Sequence, residues 1–193
     1  MRSVETLERH AAALDLRLHL RLDGRSGELV RLADEEHAVI VELLATWFSA
    51  SGFAVEIEAS FSEWGERGRI DLLAFDAPRR TIVIVEVKTL LLDLQDLLGA
   101  TSVRERLAPT IARRRGWIVD RVVTMLALAD VPATRAIVRR HPSAFASFAV
   151  RRLGRRAVAA NDRILVWVSP ARAARPAWIA GRQRVRSPRP ERA

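Results

Sequence analysis

The run TIVIVEVK at Thr81–Lys88 constrains this chain more than any other stretch. It is short, it follows the turn-like DAPRR, and it is apolar on both faces through Val85. A strand of that kind is covered on both sides and sits inside a sheet. The predicted fold class is therefore α/β, a central mixed β-sheet flanked by helices. Alternation along the strand puts Ile82, Ile84, Glu86 and Lys88 on one face, so an apolar face ends in two adjacent charges.

The neighbouring segments supply the other strands and the covering helices. A helix is expected over residues 27–50, stopped at Gly52, and FAVEIEASF alternates as a strand after it. RIDLLAF is the next strand and pairs with TIVIVEVK through the DAPRR hairpin, where Pro78 punctuates. GERG at 65–68 reads as a tight turn ahead of RIDLLAF, with Gly65 and Gly68 allowing close backbone approach. A long helix follows over about 93–115, capped by Asp93. WIVDRVVTMLAL holds a further strand, two short helices are expected near 132–140 and 143–152, and RILVWVS is the last strand. Three regions are expected: residues 1–26, a short helix and the amphipathic strand DLRLHLRLDG; 27–169, the α/β domain; and 170–193, a basic Arg/Pro-rich tail.

Of 193 residues, 49% are apolar, which supports a packed core and argues against disorder. The chain has no cysteine, which excludes disulfides and thiolate zinc sites and fits a cytoplasmic setting. Its first residues carry scattered charges with no apolar core, unlike a secretory signal. The most apolar stretch, 37–55, is broken by Glu42 and Gly52, so no membrane span is expected. The formal net charge of +9 points to a polyanionic partner, with nucleic acid first among them. Of the 32 Lys and Arg residues only Lys88 is lysine. Where a generic positive charge suffices the chain uses arginine. Its one lysine follows Glu86 by two positions, and lysine's compact ammonium shifts its pKa on desolvation as a guanidinium does not.

Asp71 stands between Ile70 and Leu72, on the strand expected to pair with Thr81–Lys88, so Asp71 and Glu86 can approach each other. Two carboxylates at about 5 Å in an effective dielectric of about 20 repel by ~3 kcal/mol before desolvation. The expected compensation is a hard divalent cation, Mg²⁺ or Mn²⁺, which takes one or two carboxylates, a carbonyl and waters. Lys88 then lies beside the water that the ion activates. Glu42, the one carboxylate of HAVIVELLATWFSA, is a third acid aimed from the first helix. On the long helix Arg104, Arg106 and residues 113–115 can track a phosphate backbone. Arg67 can meet a phosphate, and Trp64 beside it can stack on a base.

Glu42 on a first helix, GRID with Asp71, VEVK with Glu86 and Lys88, and a helix after them resemble the PD-(D/E)XK nuclease superfamily over about residues 30–130. This is the restriction-endonuclease-like fold shared with Holliday-junction resolvases. The usual proline before the aspartate is Ile70 here. The resemblance implies Mg²⁺-dependent phosphodiester hydrolysis of DNA. It makes Asp71, Glu86 and the Val87 carbonyl metal ligands and sets Lys88 on the attacking water. Glu42 then reaches the metal through water, and Gln95 joins from the next helix, as a Gln does in some branches. It also implies a homodimer as one expected form. SVETLERHAAALDLRLHLRL resembles the last helix of a repressor-type helix-turn-helix domain and the strand after it. No recognition helix precedes it in the chain, so operator binding is not expected. The alternative expectation is a non-catalytic DNA-binding or transcription-regulatory module built on a nuclease fold.

Overall fold

The computed structural model describes residues 27–169 and the single position Ala13; the helix and strand expected within residues 4–22, and the tail from 170, lie outside the described residues. A division between two compact units falls between Leu32 and Ala33, inside the first helix, and the fold below is, from Ala33 on, that of the second. Helix α1 (Gly27–Ala50) leads into a meander of β1 (Ala54–Glu63), β2 (Glu66–Asp76) and β3 (Thr81–Lys88). Helix α2 (Leu94–Arg114) crosses to β4 (Arg121–Ala129), and α3 (Pro132–Arg140) follows. After it come a single 3-10 turn (Pro142–Phe145), β5 (Ala149–Arg151), α4 (Arg155–Ala160) and β6 (Arg163–Val168). The six strands run in the order β1-β2-β3-β4-β6-β5. The first three are antiparallel, while β3, β4, β6 and β5 are parallel. The expected α/β class is the observed one, and β3 is central as its two apolar faces require. Among the described residues no helix is long and apolar enough to cross a membrane.

Helix ends explain where the layers begin. Gly52 takes φ 84°, the left-handed conformation glycine tolerates best. The Phe53 N–H then reaches back to the Phe48 carbonyl at 3.1 Å and the Gly52 N–H to Ser49 at 3.0 Å. The rings of Phe48 and Phe53 meet edge to face at 5.1 Å, the apolar clasp that accompanies this kind of helix stop. At the start of α2 the Asp93 side chain accepts the Asp96 N–H at 2.9 Å, as expected of a cap.

One face of the sheet, with Leu72, Val83, Val85 and Val87, packs on Ile40, Leu44 and Phe48 of α1 and on Val158 of α4. The other face, with Leu73, Ile82 and Ile84, packs on Leu107, Ala108 and Ile111 of α2. A third cluster gathers Leu126 and Leu165 of the sheet with Leu97, Phe145 and Phe148.

Two local expectations are corrected. The segment 143–152 is not a helix but the 3-10 turn followed by β5. Phe145 and Phe148, three apart, imitate a helical stripe; they are anchors for the third cluster, after which Val150 pairs with Leu165. The six-residue α4 has no counterpart among the expected elements, because it is too short to show a period. GERG is not the turn either. Trp64 (φ 49°) and Gly65 (φ 87°) alone make a two-residue hairpin connection, the kind that needs positive φ at both positions. Arg67 and Gly68 already belong to β2, where a Cβ on Gly68 would stand 2.8 Å from the Phe61 ring.

Two glycine substitutions are expected to act with opposite sign. Gly65→Ala forces a side chain into the left-handed region and should destabilise by about 1–2 kcal/mol. Gly99→Ala, in the exposed interior of α2 with nothing near its added methyl, should stabilise by about 0.5–1 kcal/mol. Urea unfolding of the two variants beside wild type measures both shifts.

Candidate active site

The site begins where β2 and β3 part. Their ladder ends at Leu72↔Val85, and the next positions, Asp71 and Glu86, are not joined backbone to backbone. The Asp71 side chain takes over: Oδ2 accepts the Val87 N–H at 2.7 Å. β1 is disturbed at the same level. Its register skips Glu58, between Ile57↔Leu72 and Ala59↔Ile70, and Glu58 has φ 52°. As a result Leu72 packs toward α1 while Ile70 packs toward α2, although an unbroken strand would put both on one face. Asp71 sits at this change of face, and its Oδ1 lies 3.8 Å from Nε2 of His37 on α1.

Glu86 faces α2 and is only 3% exposed. Lys88 Nζ stands 2.7 Å from its Oε1, and an Arg104 guanidinium nitrogen 3.1 Å from its Oε2. The second contact is close in charge but badly angled, so neither the buried Oε2 nor that Arg104 nitrogen makes a hydrogen bond. Arg104 Nε is anchored separately, on the Arg69 carbonyl at 3.1 Å. Burial pushes the Glu86 carboxyl above its ordinary value, the charge of Asp71 pushes the same way, and Lys88 and Arg104 oppose both. Two cations from the chain itself thus offset part of the cost, and the carboxyl stays above its ordinary value.

The structure brings Asp71, Glu86 and Lys88 together with Val87 between them. Glu42 is exposed and lines a shallow pocket with His37, Val41, Ile57 and Glu58. Among the described residues no three carboxylate or imidazole groups gather as a metal cluster. Gln95 is exposed in the first turn of α2, and Arg67 is exposed on β2. Arg106 is exposed and lies 3.6 Å from Glu66. Further along α2, Arg114 pairs with Glu63 and Arg115 with Glu56, which holds the Glu56 carboxyl below its ordinary range. These arginines fasten α2 to the β1–β2 hairpin.

Two residues went unnoticed in the sequence, His37 and the inward-facing role of Arg104. His37 heads the buried stripe of α1, ahead of Ile40, Val41 and Leu44, and Arg104 interrupts that of α2, between Leu97 and Thr101 on one side and Leu107, Ala108 and Ile111 on the other. A polar residue in line with such a stripe lies on the core-facing side, and that spacing was the available signal. No protein-family model matches the chain, and no curated protein matches it.

Two outcomes are expected. Between the ordinary carboxyl value of 4.5 and its raised folded value, Glu86 binds more proton in the folded than in the unfolded chain. The stability it contributes at low pH is therefore lost as pH rises through that window. The melting temperature of wild type minus that of Glu86→Gln should fall as pH rises above 4.5, and a difference independent of pH contradicts the raised value. Arg104→Gln removes one partner of a buried pair and should cost roughly 3 kcal/mol, less whatever Lys88 recovers, measured by chemical unfolding near neutral pH.

Proposed function

We propose that this chain is a Mg²⁺-dependent phosphodiester hydrolase acting on DNA, with a restriction-endonuclease-like core. One observation carries the reading: buried Glu86, with an oxygen that has no hydrogen bond, stands beside an Asp71 pinned to the Val87 N–H and a Lys88 at 2.7 Å. The order of elements supports it, with acids on β2 and β3 of a meander that follows one helix and precedes another.

Two carboxylates suit Mg²⁺ or Mn²⁺, since such ions keep several waters and need few protein ligands. Asp71, Glu86 and the Val87 carbonyl would hold the ion, which when bound makes a water more nucleophilic and neutralises charge on the phosphoryl oxygens. The chain's own residues do the rest. Asp71 is oriented in advance by the Val87 N–H. Lys88, at the end of β3 and 35% exposed, donates hydrogen bonds to the attacking water and to a phosphoryl oxygen. Arg104 holds Glu86 in place from α2. Exposed Arg67 and Arg106 give DNA phosphates a sequence-independent hold.

A second reading has its own support. Lys88 and Arg104 balance Glu86 much as a structural ion-pair network would, which suits a non-catalytic DNA-binding or regulatory module.

Labelled single-stranded, duplex and branched DNA, incubated with Mg²⁺, with Mn²⁺ or with chelator, tests the two. Cleavage is expected only with metal. Lys88→Arg keeps the charge but offers Glu86 a planar fork in place of a compact ammonium, and it should slow cleavage by about 10²–10⁴-fold while DNA binding survives. Full activity in that variant removes Lys88 from the mechanism. Wild-type binding without cleavage favours the non-catalytic module.

A further inference from the structure

The end of the sheet opposite Lys88 carries a cleft of about 190 Å³ beside the β2–β3 hairpin. Three separate elements send arginines into it: Arg79 from the hairpin turn, Arg121 from the start of β4, and Arg155 and Arg156 from α4. Four guanidiniums in one small cleft repel one another unless anions separate them. Asp76, its side chain only 7% exposed, lies 3.0 Å from Arg79 and 3.9 Å from Arg155. Asp162 accepts from Arg121 Nε at 2.9 Å. Two carboxylates against four guanidiniums leave an excess of positive charge around an open space.

Three of the arginines are also held in place before any ligand arrives. Arg121 donates to the carbonyls of Val158 at 3.0 Å and Ala159 at 2.9 Å. Arg155 donates to the Ser51 carbonyl and stands over the Phe53 ring, 5.9 Å from its centre. Arg79 is fixed by Asp76, and Arg156 is exposed beside Arg155. Side chains fixed in this way lose little entropy on binding. Several converging guanidinium forks suit a tetrahedral oxyanion, which offers oxygens to more than one of them at once.

We propose that this cleft is a binding site for a phosphate group, belonging either to a small phosphorylated compound or to a nucleic-acid backbone. The site needs no metal and lies at the other end of the sheet from Asp71 and Glu86, so it stands apart from the nuclease reading.

The test uses the intact protein. Thermal melting is followed while inorganic phosphate replaces chloride at constant ionic strength, and binding of a fluorescent duplex oligonucleotide is measured in parallel. Phosphate is expected to raise the melting temperature beyond chloride. Arg156→Ala and Arg79→Ala should each weaken the phosphate effect about tenfold or more, while Arg140→Ala, at the end of α3, should leave it unchanged. Melting in chloride shows that each variant is folded; Arg156 contributes little to packing, so its variant decides the matter if Arg79→Ala is unstable. Oligonucleotide affinity that falls in the same variants and is competed by phosphate identifies the ligand as backbone phosphate. Unchanged oligonucleotide affinity identifies a small phosphorylated compound. Phosphate that protects no better than chloride, or cleft variants that keep wild-type phosphate affinity, overturn the proposal.

Discussion

Where β2 and β3 separate, the carboxylate of Asp71 takes the Val87 N–H at 2.7 Å, and the shape of the site depends on that bond. A backbone N–H buried without a partner is costly. Normally the neighbouring strand would satisfy it. Here the ladder stops at Leu72↔Val85 and a side chain finishes it. The exchange frees β2 to change face between Leu72 and Ile70, so the far part of the β1–β2 hairpin leans on α2 while the near part stays in the sheet. It also fixes one carboxylate at the register position opposite Glu86.

The electrostatics follow from that placement. Glu86 is almost wholly buried close to a second carboxylate, and its raised pKa records the cost. Lys88 and Arg104 offset that cost from two sides, one from the same strand and one from the covering helix. Because the Arg104 contact is poorly angled, Glu86 keeps a buried oxygen without a hydrogen bond. The charge is balanced while the hydrogen bonding is not, and a further ligand would complete it. The opposite end of the sheet inverts the pattern: there arginines converge and carboxylates hold them apart. The sheet thus carries an acidic pair at one end and a basic cleft at the other.

The sequence by itself determined the α/β class, because TIVIVEVK is apolar on both faces and only a doubly covered sheet accommodates it. It also determined the two principal helices, through the cap at Asp93 and the stop at Gly52, and the sharing of one face by Glu86 and Lys88, through the period of two. These are local properties, written in neighbouring residues. The tertiary structure decided what depends on distance. It made Arg104 the partner of Glu86, eighteen positions apart in the chain, and gathered arginines from three elements into one cleft. It also turned 143–152 into a turn and a strand, because Phe145 and Phe148 are fixed by the cluster they enter and not by a helical period. Such partners are chosen by packing between segments far apart in sequence, and a spacing rule sees only one segment at a time.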